Sequence, residues 1–412
     1  MTTLSDDTAR GPFSSAPFRR FFAARTMADL GTEVGALALP LLAVLTLDAG
    51  PGQVGLLGAL STAAYLVVGL PAGAWTDRVR RRPVIVLSQF LHGVVLLSIP
   101  LAWAAGVLTL AQLYVCAFLG GVAALFSRTA QQGFLPAVVG RERLMPANTA
   151  LAGMGSAAVV AGRGVGGYLV QTLGAPHAVL LNGVVQCASA AVTTGVRVSE
   201  PDPERRSRSM SAEIAEGVRH VFGHSLLRPI AFSTLILNLG LSPLLVLAPV
   251  LIVGDLGLPE SRVGLFFMVG AAGAVAGSLV AGALAAGIGT GRALIVATVL
   301  AGATAFAVPF LSESAFWPVC AVWALSQGGV GLLNVVQTTL RQRLTPDALL
   351  GRMTATMRLL MTGALTLGSL AAGVLAEAAD VRTALAVGAA VMALAWMPLA
   401  FSPFRRRDPE VR

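Results

Sequence analysis

Long apolar runs, separated by short polar connections, dominate the pattern of this chain. A bilayer core about 30 Å thick needs roughly 20 apolar residues per helix. The pattern predicts twelve such spans and an all-α membrane protein. They are expected at residues 22–47, 54–75, 84–105, 109–128, 147–171, 177–198, 229–253, 263–287, 293–312, 315–338, 354–376 and 382–402.

One polar stretch is much longer than the other connections and divides the twelve spans into six and six. It covers residues 199–228 and opens with SEPDPERRSRS. The pattern therefore predicts an N-terminal tail (1–21), an N-terminal six-helix bundle (22–198), a linker (199–228), a C-terminal six-helix bundle (229–402) and a C-terminal tail (403–412). Within the linker, SAEIAEGVRHVFGH predicts a surface helix with Ile214, Val218, Val221 and Phe222 on one apolar stripe.

Composition narrows the class of protein further. Of 412 residues, 55% are hydrophobic and 12% are charged, about half the charge of a soluble chain. The long continuous apolar runs differ from the alternating segments of a β-barrel, and the 46 glycines suit close helix packing. We therefore expect membrane lipid as the main surroundings. Three cysteines lie far apart, without metal-ligand spacing.

The distribution of charge predicts how the chain is oriented in the membrane. The net charge is +9, every basic residue is Arg, and the Arg residues cluster in alternate connections, which is unlike a nucleic-acid-binding face. The positive-inside rule places these connections and both termini in the cytoplasm, in a multi-pass protein of a bacterial inner membrane. The cytoplasmic set is Arg19, Arg20, Arg25, Arg78, Arg80 to Arg82, Arg141, Arg143, Arg205, Arg206, Arg208, Arg292, Arg341, Arg343, Arg352 and Arg405 to Arg407.

The connection between spans two and three reads GAWTDRVRRRP. Its Gly73, Asp77 and Arg78, followed by Arg81 and Arg82, resemble the signature loop of the major facilitator superfamily. Arg80 stands where that family usually has a second glycine. Asp77 can pair with an Arg at a neighbouring helix end and so latch two helices in one conformation. Alternatively, the Arg run only sets the topology.

A second resemblance lies in span five, AGRGVGGYLV. Gly162, Gly166 and Gly167 are similar to the Gly-Pro-x-x-Gly-Gly element of drug/proton antiporters in that superfamily, with Arg163 in place of the Pro. Such glycines allow close helix approach at a moving seam. LPAVVGRERLMPAN and TPDALLGRMTATMRLL resemble the efflux branch that includes the enterobactin exporter and macrolide efflux proteins. The resemblance implies two six-helix bundles around a central cavity.

Charged residues inside spans are costly and therefore candidates for function. Glu33 in span one is flanked by Gly31 and Gly35 and suits a proton site or a cationic-substrate site; a structural ion pair is the alternative. Arg163 lies at comparable depth and is its expected counter-charge, or a contact for an anionic substrate. Asp29 is four residues before Glu33 on the same helix face, and either acts with Glu33 or pairs with a loop Arg.

Two further arginines can each be interpreted in two ways. Arg128, expected at the end of span four, either lines the cavity or extends to the headgroups. Arg358, about one turn into span eleven, has the same ambiguity, and the family resemblance favours a gate contact. His92 in span three is expected outside the cavity. Tyr65 and Phe267 could face a ligand, although packing is the commoner role.

Enzymatic motifs are absent from the sequence. It has no GxxxxGK[ST] phosphate loop, HExxH or GxSxG, and so predicts neither an enzyme nor a nucleotide-driven pump.

We expect a monomer with no cofactor and no nucleic-acid partner, driven by the proton gradient. The leading hypothesis is proton-coupled efflux of a small amphipathic drug or secondary metabolite. The alternatives are an uptake symporter for a nutrient or siderophore, and a non-transporting membrane sensor or assembly protein.

Overall fold

Helices account for all regular structure in the part of the chain that the computed structural model describes, residues 11–76, 78–140, 142–200, 210–346 and 349–405. Twelve helical segments are long and apolar enough to cross a membrane, which confirms the predicted number. The first bundle contains α1 (Ala16–Leu47), α2 (Pro51–Thr76), α3 (Arg81–Ala104), α4 (Leu110–Val139), α5 (Leu144–Leu173) and α6 (Ala175–Thr194).

A short helix, α7 (Met210–Gly223), precedes the second bundle. That bundle contains α8 (Leu227–Pro249), α9 (Glu260–Ile288), α10 (Thr290–Ala305), α11 (Phe316–Leu344), α12 (Leu350–Ala378) and α13 (Val381–Ala393). A π-helical segment, Val250–Asp255, extends α8, and a final short helix, α14 (Met397–Ala400), completes the last span.

Several helices extend beyond the apolar runs that predict them, and α4 shows why. Its predicted span stops at Arg128, but the helix continues to Val139. The hydrophobic window detects only the part of a helix that meets hydrocarbon, whereas backbone hydrogen bonds continue through polar residues. Gln131 donates to the Ser127 hydroxyl at 3.0 Å on the same helix and is buried. Arg128 therefore lies inside helix α4, eleven residues before its end.

The two bundles meet along two pairs of helices. Helix α2 of the first bundle packs on α12 of the second, and α5 packs on α9. We call the side of the helices at which α1 begins the terminal face, and the side with the α1–α2 connection the distal face. Glycines allow the helices to approach closely near the distal face. A Cβ on Gly55 would lie 2.7 Å from the Gly373 Cα, and one on Gly167 would lie 2.6 Å from the Gly264 Cα.

Helix α7 is attached to the second bundle at the terminal face. Val221 is fully buried against α8 and α12, and Phe222 packs beside it, as the apolar stripe predicts. Val218, expected on that stripe, is 37% exposed, while the Ile214 side chain lies outside the described residues. Gly217 faces α12, and Glu216 forms an ion pair with Arg352 of that helix.

Candidate functional site

A cavity of about 410 Å³ lies between the two bundles. Helices α1 to α6 supply most of its wall, and α8 and α9 close it from the second bundle. Its size falls within the range of small-molecule sites, about 300–1,000 Å³. We call it the central cavity. Its apolar lining includes Leu57, Leu96, Leu245, Val246 and Phe267.

Glu33 and Arg163 form an ion pair beside this cavity. The Arg163 Nε donates to the Glu33 Oε2 at 3.0 Å, linking α1 to α5. The glutamate side chain is 15% exposed and the arginine 29%. Arg163 also lies over the Phe267 ring, 5.6 Å from its centroid, and lines the cavity. One cation thus contacts a carboxylate of its own bundle and an aromatic ring of the other.

The three glycines of α5 divide between two neighbours. A Cβ on Gly162 would lie 2.7 Å from the Glu33 Cβ, and one on Gly166 would lie 3.2 Å from the Val34 Cα. Both glycines therefore bring α5 close to α1. Gly167 instead faces α9 of the other bundle. The Glu33–Arg163 pair consequently lies about one turn from a contact between the bundles.

Asp29 does not join this ion pair. Its Oδ2 lies 3.5 Å from the Nε of Arg25, one turn earlier on α1. The sequence allowed Asp29 either to act with Glu33 or to pair with a loop arginine. The structure places Asp29 beside an arginine, and that arginine lies on the same helix rather than in a loop.

Arg128 lines the central cavity from α4 and is an exposed residue. Among the described residues it has neither a hydrogen-bond nor an ion-pair partner. An arginine within a membrane span normally finds a counter-charge or reaches the headgroups. Arg128 is therefore a cavity-lining cation without a counter-charge among the described residues.

Two cavity residues have weak sequence signals. His92 of α3, expected outside the cavity, lines it and lies near Gly120 of α4, so that expectation was wrong. Asn182 of α6 is 3% exposed and lies against Gly31 and Gly35 of α1. Its Oδ1 has no hydrogen-bond partner in the described structure. Only the two glycines that flank Glu33 hinted that a neighbouring side chain approaches there.

A larger cavity of about 860 Å³ lies at the terminal face, and we call it the vestibule. Gln132, Gln342 and Thr354 are among its polar lining residues. Tyr65 lines both cavities, and the Arg358 guanidinium lies over its ring at 5.1 Å from the centroid. Because Tyr65 belongs to α2 and Arg358 to α12, this contact joins the two bundles between vestibule and central cavity.

The latch loop is only partly described. Asp77 lies outside the described residues, as do the surroundings of Gly73, and Arg78 is exposed. Arg81 donates to the Gly133 carbonyl of α4 at 3.0 Å, and Arg82 donates to the Thr194 carbonyl of α6. These two contacts stay within the first bundle.

Glu200 anchors the same loop from the linker. Its carboxylate accepts the backbone N–H groups of Arg81, at 2.6 Å, and Arg82, at 3.1 Å. A carboxylate at a helix N-terminus satisfies free N–H groups and the helix dipole. Sequence separation hides this cap, because Glu200 follows Arg81 by 119 residues in the chain.

Comparisons with known proteins agree with this architecture. A family model described as Major Facilitator Superfamily matches residues 21–314 and 230–412. The chain is 28% identical to the multidrug efflux pump Tap of Mycolicibacterium fortuitum over 91% of this chain and 92% of that protein. It is 26% identical to the enterobactin exporter EntS of Citrobacter koseri, covering 81% and 79%. The crystal structure of the nucleoside transporter NupG superposes with a TM-score of 0.77 at 11% identity, covering 94% of this chain and all of that one.

Proposed function

The chain belongs to the Major Facilitator Superfamily of membrane transporters, and from this premise we propose that it exports a small amphipathic molecule in exchange for protons. It is a transporter and not an enzyme. The similarity to two efflux proteins along most of the chain supports export. We propose that it works as a monomer in a bacterial inner membrane, without a cofactor, using the proton gradient as its energy source.

The Glu33–Arg163 pair is the observation on which the coupling depends. A proton that neutralises Glu33 removes the charge attraction across the 3.0 Å contact between α1 and α5. An arginine in a protein keeps its proton, so we assign the coupling proton to the carboxylate of the pair. Protonation therefore loosens Arg163, which also contacts Phe267 of the opposite bundle. A local charge change is in this way linked to the interface that must move.

The two faces supply the rest of an alternating-access cycle. Glycine contacts between α2 and α12 and between α5 and α9 close the distal side, while the vestibule lies on the terminal side. We assign the terminal face to the cytoplasm because it carries the Arg clusters. Substrate would then be bound from the cytoplasm through the vestibule. The bundles rock around the central cavity, release the substrate outside and return with a proton on Glu33.

Transport in inside-out membrane vesicles tests this proposal. With the interior acidified, vesicles that carry the protein should accumulate at least one amphipathic fluorescent probe from a panel of fluorescein, rhodamine 123 and Nile red. A protonophore should abolish the accumulation. Probe movement out of acidified vesicles along with protons would identify an uptake symporter instead. A protein that moves no probe in either direction, but loses a cellular function when the linker charges are removed, would be a sensor.

A further inference from the structure

The charged residues along the substrate route are all of one sign. Among the described residues that line the central cavity and the vestibule, the charged side chains are Arg128, Arg163, Arg343 and Arg358. No carboxylate belongs to either described lining. Glu33 lies behind Arg163 and compensates that arginine alone. Among the described lining residues, the central cavity therefore keeps the positive charge of Arg128.

Arg128 is the cation best placed to bind a ligand charge. It stands roughly 16 Å along α4 from the terminal face, whereas Arg163 stands roughly 28 Å along α5 from that face. A ligand that comes from the vestibule thus reaches Arg128 before the ion pair. A guanidinium presents paired N–H donors that match a carboxylate, sulfonate or phosphate. Since Arg128 has no partner among the described residues, an acidic group can bind it without displacing a protein side chain.

Asn182 is a second, independent feature of the same cavity. Its side chain is 97% buried, and its Oδ1 has no hydrogen-bond partner in the described part of the chain. Buried polar atoms without partners are rare in folded proteins. That oxygen lies against Gly31 of α1, which does not line the cavity, whereas the amide Nδ2 lies against Gly35, which does. The Nδ2 is therefore the group of Asn182 that can donate to an acceptor on a ligand. The remaining wall is apolar and fits a ring or short chain.

We propose that the substrate is an amphipathic acid, whose anionic group binds Arg128 and which accepts a second hydrogen bond from the Asn182 amide. This inference rests on the proposed function, in that it takes the central cavity as the transport site. An acid at Arg128 neutralises the free cation and leaves the Glu33–Arg163 pair intact. The loaded cavity then carries no net charge, which favours its passage through an occluded state in a low-dielectric surrounding. The substrate and the proton thus bind different side chains, Arg128 and Glu33.

Equilibrium binding to the purified full-length protein, in detergent and without any gradient, tests the substrate class. Fluorescein at mildly alkaline pH and rhodamine 123 share a xanthene ring system but carry opposite charge. Fluorescence anisotropy should show fluorescein binding at least about tenfold more tightly than rhodamine 123. Arg128→Gln should weaken fluorescein binding by about tenfold or more, because a charge-assisted hydrogen bond is lost. Arg128→Lys should retain most of the affinity.

Two further variants keep the result interpretable. Arg292→Gln removes the same charge at an exposed position that lines neither cavity, and its affinity should equal that of the unmodified protein. Asn182→Asp is isosteric, places a carboxyl in the cavity, and should reduce the preference for fluorescein over rhodamine 123. Thermal melting confirms that each variant is folded.

Three results would overturn the proposal: rhodamine 123 binding as tightly as fluorescein, equal affinities for Arg128→Gln and Arg292→Gln, or no saturable binding of either dye. The proposed function fails separately. Selective binding of fluorescein with no response to a pH gradient in vesicles would reject proton-coupled export and leave the substrate class standing. Gradient-driven export of rhodamine 123 without fluorescein binding would do the opposite.

Discussion

Replacing Gly55 by alanine should shift the transporter away from the distal-closed conformation. The added Cβ would lie 2.7 Å from the Gly373 Cα and 2.8 Å from the Ser369 carbonyl oxygen, both backbone atoms of α12. Ordinary carbon contacts are about 3.5–4.0 Å, so the helices must separate by roughly 1 Å at this level. Overpacking of this kind costs about 1–3 kcal/mol. Because the distal-open conformation does not need the contact, the ratio of open to closed should rise roughly 5- to 150-fold.

Spin labels at the distal face measure this ratio. Val107 and Phe310 lie on distal connections of different bundles and are 65% and 74% exposed. Cysteines at these two positions, in a background without the three native cysteines, report the distance between the bundles by double electron–electron resonance in proteoliposomes. Gly55→Ala should increase the population at long distances. Gly153→Ala is the control, since a Cβ there meets no atom within 4 Å. Identical distance distributions for Gly55→Ala and Gly153→Ala would refute the inference that the contact between Gly55 and Gly373 holds the distal face closed.

Three other predictions address the terminal gate, the second bundle and the linker. Tyr65→Leu removes the ring under Arg358, worth about 0.5–2 kcal/mol, and should speed thiol labelling of a cysteine at cavity residue Ala124 from the terminal side, whereas Tyr65→Phe should not. Gly277→Ala should lower the melting temperature by several degrees through about 1–3 kcal/mol of overpacking against the Gly328 carbonyl. Gly282→Ala, whose added Cβ meets no atom within 4 Å, should leave the melting temperature unchanged. Equal melting curves for the two variants would contradict the close contact of α9 with α11. Burial, and then the nearby His220, lower the pKa of His224, whose Nδ1 accepts from the Leu226 N–H at 3.2 Å. Its contribution to stability is therefore present above the ordinary histidine pKa of about 6.5 and lost as pH falls below it. Hydrogen exchange at residues 224–228, corrected for intrinsic rates, should show this loss, and His224→Gln should remove the pH dependence.

The number of spans and the Glu33–Arg163 contact could both be anticipated from the chain. Length and continuity of apolar runs report directly on bilayer thickness, which is why twelve spans were predictable. A carboxylate at depth in one span requires compensation, and Arg163 was the cation at matching depth. These inferences depend on lipid as a uniform solvent and not on details of packing.

Other features depend on tertiary contacts that the sequence does not encode locally. With 46 glycines, nothing marks Gly55 and Gly373 as the pair that meet between the bundles. The prediction for His92 was wrong because a single imidazole in an apolar run does not show which face of its helix points toward the cavity. The end of α4 was not predictable from hydropathy, because the apolar run fades before the helix ends. The Glu200 cap on α3 joins residues far apart in the chain.

The claim that Glu33 carries the coupling proton is tested most directly by the movement of the proton itself. In the first assay, proteoliposomes with trapped pyranine report the internal pH after addition of a probe that the unmodified protein exports. In a second assay, separate proteoliposomes report exchange of the same probe without a pH gradient. Glu33→Gln mimics the protonated carboxyl and cannot titrate, while Glu33→Asp retains an acid. We predict probe-evoked proton movement for the unmodified protein, reduced movement for Glu33→Asp, and none for Glu33→Gln, with probe exchange preserved in all three. Full probe-evoked proton movement in Glu33→Gln would contradict the account.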